Sequence, residues 1–359
     1  MSVRTEPVPV ETLLGRPQYA GDLGEAAAWL AGRRVLVTGA AGSVGTPLSR
    51  VLAGLDLGAL ALVDHHEYSL FGLERLVGPA TSTRSYELLD VRDTRRLTRL
   101  VQRLRPEVII HLAAAKHVPY GERFPEGVVE ANVLATAALI EAATSVGTRA
   151  FVYPSSDKSV DPPSLYGATK RLGEALVQKR AAQAGTDDRW VVARFVNIVG
   201  TRGSVIETFS QQVLDGAPLS VTDERMTRYW ISMNEALWLV LQAGGRGRSG
   251  TVFMPDCGAA IPVLETARRL AAWHRPSEDP YPVHIVGVRP GERLDEVLLS
   301  RNETAGPSPA TGVLAVSTRR PDTALDQVHD TVERLRRLVR LGNGRSVRQV
   351  AMASAGALQ

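Results

Sequence analysis

Arg33-Arg34-Val35-Leu36-Val37-Thr38-Gly39-Ala40-Ala41-Gly42-Ser43-Val44-Gly45 is the stretch on which the reading of the fold turns. Its first half is a short β-branched run. Its second half spaces three glycines as G-x-x-G-x-x-G, and Ser49–Leu55 beyond it has a helical pattern. A strand that passes through a tight glycine turn into a helix opens a βαβ unit, and glycine is what lets backbone come close at such a turn. Outward from it, the apolar runs Ala59–Asp64, Glu107–Leu112, Ala150–Tyr153 and Trp190–Phe195 alternate with helical stretches at Glu126–Ala143 and Gly167–Gln183. Short apolar strands alternating with helices predict an α/β fold, a Rossmann-type doubly wound parallel sheet, over residues 32–200.

The flanks read differently. Residues 1–31 are an arm broken by Pro7, Pro9 and Pro17, with a helix from Asp22. Residues 201–345 are expected to form mainly a smaller C-terminal α/β substrate-binding domain, with a segment near 231–256 returning to the first domain. Asn302–Gly312 reads as a loop, and 346–359 as a tail frayed from Ala351. No repeat of solenoid period is present.

Composition narrows the function classes. The chain has 359 residues, 44% apolar and 22% charged, which argues against a largely disordered protein. One cysteine, Cys257, excludes an intramolecular disulfide framework and a multi-cysteine metal site, so no metal is expected. Lys plus Arg is 42 against 38 for Asp plus Glu. The densest basic stretch, Glu333–Arg340, has leucines at every third position, as an amphipathic helix with a solvated arginine face requires. No nucleic-acid partner is expected. The apolar runs Leu52–Val63 and Val133–Ala143 are short for a membrane span and carry Asp56 and Glu141. The first residues lack the apolar stretch of a signal peptide. The expectation is a cytoplasmic protein with no membrane partner.

Two motifs carry chemistry. The turn Gly39, Gly42, Ser43, Val44 and Gly45 is suited to a pyrophosphate at a helix N-terminus. Asp64, ending the second strand, is placed for two ribose hydroxyls, with Glu67 just beyond it; Asp90 and Val91 after the next strand are within reach of an adenine. No arginine or lysine follows Asp64 directly, so NAD is preferred to NADP. The second motif is Tyr166-Gly-Ala-Thr-Lys170, whose i, i+4 spacing puts phenol and ammonium on one helical face. An ammonium beside a phenol favours phenolate, and such a tyrosine can exchange a proton with a sugar hydroxyl. Ser156-Asp157-Lys158 precedes it at a strand's carboxyl end. Alcohol oxidation needs a hydroxyl, Tyr166 and Lys170; the adjacent acid and base, Asp157 and Lys158, are what an elimination adds.

With these residues in place, the chain resembles extended short-chain dehydrogenase/reductase proteins, and more narrowly the UDP-N-acetylglucosamine 4,6-dehydratases of the CapD-like polysaccharide-biosynthesis branch. The resemblance covers about residues 12–300. Its further blocks are Ala113-Ala114-Ala115-Lys116-His117-Val-Pro119, Asn197-Ile-Val-Gly-Thr-Arg202-Gly203-Ser204, Met226-Thr-Arg228-Tyr-Trp and Gly287-Val-Arg289-Pro-Gly291-Glu292. It implies that Ala113, Ala114 and Lys116 border the cofactor. It implies that Lys116 and His117 line the substrate site, and that Asn197, Arg202, Ser204, Arg228, Arg289 and Glu292 hold the nucleotide diphosphate and its ribose. Ser156 stands where many members have threonine; Ala115, Val196 and Tyr120 depart from the family pattern near the expected sugar pocket. The implied activity is a lyase reaction on UDP-N-acetylglucosamine or a close UDP-hexose: C4 oxidation, loss of water across C5 and C6, and hydride return to C6. Tyr166 favours the C5-inverting branch. A UDP-sugar 5,6-dehydratase, a 4-epimerase and a non-catalytic nucleotide-binding protein are the alternatives, and a homo-oligomer is expected.

Overall fold

The computed structural model describes residues 3–278, 280–289, 291–319 and 322–359; Pro290 of the Gly287–Glu292 motif lies outside them. Nine strands form the main sheet: β1 (Arg34–Thr38), β2 (Ala59–Asp64), β3 (Arg84–Leu88), β4 (Val108–His111), β5 (Ala150–Ser156), β6 (Arg189–Phe195), β7 (Val252–Pro255), β8 (Glu303–Pro307) and β9 (Val313–Thr318). Their spatial order is β3-β2-β1-β4-β5-β6-β7-β9-β8. The first seven are parallel, and β9 and β8 extend the sheet antiparallel. The chain runs outward from β1 to β3, then returns to lay β4 on the other side of β1. The crevice above β1 and β4 is therefore the topological switch point, where open α/β sheets bind ligands.

Strand alternation decides which helix covers which face. Val35, Val37, Leu60, Leu62 and Val152 point to one side, where α1 (Gly45–Ala53), α2 (Glu67–Val77) and α7 (Met233–Arg246) contribute Leu48, Leu52, Leu70 and Leu241. Leu36, Val63, Ile109, Phe151 and Val192 point to the other, against α3 (Thr94–Leu104) and α4 (Pro125–Ser145), which supply Leu97, Leu100, Leu139 and Ala143. Both faces are thus dry, which explains the near-continuous apolar runs of the parallel strands. The α4 helix is longer than the sequence reading allowed, and it is the one helix among the described residues long and apolar enough to cross a membrane. Two thirds of that apolar window is buried inside the protein, as a core helix requires.

A second core lies beyond the sheet. Leu13 and Leu14 of the N-terminal arm pack with Ile206 and Phe209 of α6 (Val205–Leu214) and Ala267 and Leu270 of α8 (Val263–His274).

Two expectations for the C-terminal part are corrected. The stretch read as a loop contains β8, because its backbone pairs with β9 at the sheet edge. The tail read as frayed is α10 (Gly344–Gly356), which with α9 (Asp322–Arg340) covers α4 and α5 (Leu165–Ala181). Val332, Leu335, Val347 and Ala351 bury their apolar faces against Val133 and Leu172, and this tertiary contact fixes what local propensity leaves undecided.

Behind β5 and β6 sits a buried ionic cluster. Glu174 accepts from Arg171 Nη1 at 3.0 Å and Arg194 Nη2 at 2.9 Å; Glu303 accepts from the same two nitrogens at 2.8 and 3.0 Å. All four side chains are at most 1% exposed. Ser159 donates to Glu174 at 2.7 Å, so the cluster also grips the turn after β5. Burial pushes the Glu303 carboxyl up, but Arg194 and then Arg171 outweigh it and bring it to about 2. Since that value lies below the ordinary 4.5, the cluster's contribution is full above pH 4.5 and lost as pH falls toward 2. Arg194→Met leaves both carboxylates short of their partner. We expect it to cost about 3–5 kcal/mol in urea denaturation at neutral pH and to flatten the loss of stability between pH 4.5 and 2 seen in the parent protein.

Candidate active site

The glycine turn is shaped by contacts no side chain tolerates. Gly39 has φ +68°, and a Cβ on it would lie 2.6 Å from Ala113 N; a Cβ on Gly45 would lie 2.1 Å from Gly39 O. The turn opens α1, whose N-terminus carries no side-chain cap. Asp64 Oδ2 accepts from Ala41 N and Oδ1 from His66 N, both at 3.0 Å, so the carboxylate is locked opposite the turn. Val44 lies at the turn itself, Glu67 is exposed on the first turn of α2, and Val91 is buried. Asp90 grips Arg92 Nε at 2.9 Å, and that hydrogen bond is the main reason its carboxyl is lowered. Asp90 is therefore committed to its own neighbour.

Past β4, Thr38 Oγ1 accepts from Ala113 N at 3.3 Å, and Ala114 is exposed beside it. Lys116 Nζ donates to Arg202 O at 2.8 Å, and Arg202 N donates to Ser43 Oγ at 3.1 Å. The structure thus joins three residues far apart in the sequence: Ser43 on the glycine turn, Lys116 after β4 and Arg202 after β6. Partial burial lowers the Lys116 ammonium, and burial followed by the Lys116 charge lowers His117.

The residues expected to handle protons gather at the carboxyl end of β5. The strand ends at Ser156, and a 3-10 turn carries Asp157–Ser159 before Ser164 caps α5. Gly167 permits this turn to press on the helix, since a Cβ there would lie 2.0 Å from Lys158 O. Ser156 Oγ donates to Asp157 Oδ1 at 2.8 Å, and Lys158 Nζ lies 3.1 Å from the same oxygen. Asp157 Oδ2 is buried without a hydrogen-bond partner. Burial raises the Tyr166 phenol; the Lys158 charge works against that rise. The cation expected to act on the phenol was Lys170, but its ammonium donates to Pro154 O at 2.8 Å and lies 4.8 Å over the Tyr153 ring. Burial pushes Lys170 down to about 8, with Glu174 opposing.

Two residues of this site escaped the sequence reading. Glu296 is 4% exposed, and its Oε1 lies 3.1 Å from Lys158 Nζ and 3.5 Å from Arg228 Nε. Asn132, 1% exposed, exchanges two hydrogen bonds with the Ala115 backbone and donates to Thr169 Oγ1 at 2.9 Å, tying the segment after β4 to α5. It stands in a π-helical turn, Glu130–Leu134, of the sort that gathers at functional sites. The one signal for it was an amide inside an apolar helix.

The residues expected to hold a nucleotide are less uniform. Arg228 spends its guanidinium on Thr227 O, Leu294 O and Arg293 O. Asn197 donates to Tyr229 O at 3.1 Å, and Ser204 caps α6 by accepting from Glu207 N. Arg289 is exposed. Glu292 Oε2 is buried without a hydrogen-bond partner, as a carboxylate awaiting a hydroxyl donor would be.

A doubly wound sheet, a glycine turn at its switch point and a tyrosine helix beside it define an extended short-chain dehydrogenase/reductase chain. A family described as polysaccharide biosynthesis protein matches residues 35–317, and the chain belongs to that family. It is 36% identical over 299 residues to the probable polysaccharide biosynthesis protein EpsC of Bacillus subtilis, covering 82% of this chain and 50% of that one. The chain thus spans about half the length of that relative. It is 31% identical over 277 residues to a UDP-N-acetylglucosamine 4,6-dehydratase (inverting) of Campylobacter jejuni, covering 76% of this chain and 79% of that one. The solved structure of Pen from Bacillus thuringiensis superposes with a TM-score of 0.73 at 25% identity, covering 81% of this chain and 91% of that one.

The glycine turn yields a direct test. Gly45→Ala forces a Cβ onto backbone and is expected to cost about 1–3 kcal/mol. Gly72→Ala in α2 meets nothing within 4 Å and is expected to stabilise by about 0.5–1 kcal/mol. Thermal unfolding of the two variants checks the opposite signs.

Proposed function

We propose that this chain is an NAD-dependent nucleotide-sugar 4,6-dehydratase acting on UDP-N-acetylglucosamine or a close UDP-hexose, with inversion at C5. The observation that carries the reading is the Asp157–Lys158 pair, 3.1 Å apart at the end of β5, beside the Tyr166 phenol. An epimerase has no use for such a pair. The dehydratase named among the relatives, 31% identical over most of this chain, supports the same choice.

The residues present suit the cofactor. The glycine turn leaves room that any Cβ would fill, at an uncapped helix N-terminus suited to pyrophosphate. Asp64 is a carboxylate where a 2′-phosphate would be repelled, which favours NAD over NADP. Bound NAD supplies reversible two-electron oxidation at C4 of the sugar.

The chain's own groups handle the protons. Tyr166 takes the C4 hydroxyl proton, with the Lys158 charge easing the phenol toward phenolate. Lys158 rests as an ammonium: burial opposes its charge, but Asp157 and then Glu296 hold it above its ordinary value. Moving its proton onto Asp157 across 3.1 Å produces a neutral amine and a carboxylic acid in one transfer. The amine removes the C5 proton, made acidic by the C4 ketone. The acid gives its proton to the departing C6 hydroxyl, which leaves as water. The hydride taken from C4 returns to C6 of the resulting alkene while a proton is added at C5, and addition on the face opposite to its removal gives inversion. At the nucleotide end, Arg202 and Arg289 suit the diphosphate, and the unpartnered Glu292 Oε2 suits a ribose hydroxyl.

Incubation with UDP-N-acetylglucosamine, followed by NMR, is expected to give a 4-keto-6-deoxy product with a C6 methyl signal. Retention of the C6 oxygen rejects dehydration. Asp157→Asn is expected to slow the reaction by about 100-fold or more; a variant that still interconverts C4 epimers at full rate marks an epimerase instead.

A further inference from the structure

The segment 291–296 joins the nucleotide end of the site to the acid–base turn through several independent contacts. A Cβ on Gly291 would lie 3.3 Å from Ser164 Cβ, beside the cap of the helix that carries Tyr166. Arg293 donates to Val160 O at 3.4 Å and also to Asp161 O, on the strand side of the same helix start. Leu294 O accepts from Arg228 Nη1 at 2.9 Å and from Thr227 N at 2.9 Å, and Arg293 O accepts from Arg228 Nη2 at 2.9 Å. Glu296 then reaches Lys158 Nζ at 3.1 Å. A segment clamped at so many points moves as one piece. Glu292, with its buried and unpartnered oxygen, and Glu296, on the catalytic lysine, belong to that piece.

Lysine is a point charge on a flexible four-carbon stem, and one carboxylate does not fix where its nitrogen sits. Asp157 and Glu296 hold it from two sides, with Arg228 as the second cation balancing two acids. We propose that Glu296 is a positioning residue that couples nucleotide binding to catalysis: a ligand engaging Glu292 and Arg289 stiffens the already clamped 291–296 segment and thereby holds the Lys158 nitrogen in its place opposite Asp157. The proposal rests on the reading of this site as one for a nucleoside-diphosphate sugar. It makes the non-reacting nucleotide contribute to the rate at the hexose, because binding energy at a remote group is used to orient the reacting ones.

The test uses UDP, which carries the nucleotide end without the sugar. Hydrogen exchange of residues 157–161 is measured with and without UDP in the full chain and in Glu296→Gln, and UDP binding to each is measured by calorimetry. We expect UDP to slow exchange at 157–161 by about tenfold in the parent chain, and to bind Glu296→Gln without that slowing. With UDP-N-acetylglucosamine, Glu296→Gln is expected to lose about 100-fold in kcat with KM changed less than about threefold, and Glu296→Asp, which keeps the charge, to recover part of the loss. UDP that binds without slowing exchange in the parent chain overturns the coupling and leaves the dehydratase reading intact. Equal slowing in Glu296→Gln overturns the part given to Glu296. Failure of UDP to bind the parent chain overturns both. The exchange measurement on the parent chain decides the matter even if Glu296→Gln does not fold.

Discussion

A lysine ammonium partly withdrawn from water is best held by negative charge, and at the end of β5 that need is met by two carboxylates, Asp157 and Glu296, each 3.1 Å from Lys158 Nζ. Much of the structure around the switch point serves this one arrangement. The β5 strand and its 3-10 turn deliver Asp157 and Lys158 together, and Gly167 lets α5 close on the turn so that the Tyr166 phenol falls under the lysine's charge. Glu296 arrives from far along the chain, and Arg228 braces it while tying down the backbone that carries it.

Behind this pair lies a second layer of two arginines and two glutamates. Arg171, Glu174, Arg194 and Glu303 neutralise one another among α5, β6 and β8, and Ser159 links them to the turn after β5. Glu122 adds a further tie: it accepts from Leu165 N at the start of α5 and pairs with Arg348 of α10 at 2.6 Å. Breaking a buried group of this kind is costly because the remaining charge has no solvent to turn to. The same rigidity holds functional groups on a strand end and a helix start rather than on a free loop.

The local parts of the site are legible in the sequence. The strand–glycine–helix pattern, the acid ending β2 and the Ser156–Lys158 and Tyr166–Lys170 motifs are each contiguous, so spacing alone places them. Glu296 was not readable that way, because its partner is Lys158 and nothing in Arg293-Leu-Asp-Glu296 marks it from a surface charge. The same is true of Arg171, Glu174 and Arg194: charged residues in a helix and a strand read as solvated until tertiary contact brings them together. Lys170 shows the converse. Its spacing from Tyr166 is helical as expected, yet its nitrogen turns to Pro154 O and the Tyr153 ring. Strand β8 and helix α10 were missed because they are held by neighbours, β9 and α5, rather than by their own propensity.

Lys158 sits charged between two acids. Titration of its side-chain nitrogen by NMR, assigned through a Lys158→Arg variant, tests this directly. The ammonium is expected to persist above the ordinary lysine value of 10.5, because Asp157 and Glu296 together outweigh the cost of burial. A Lys158 nitrogen that loses its proton below that value would contradict it.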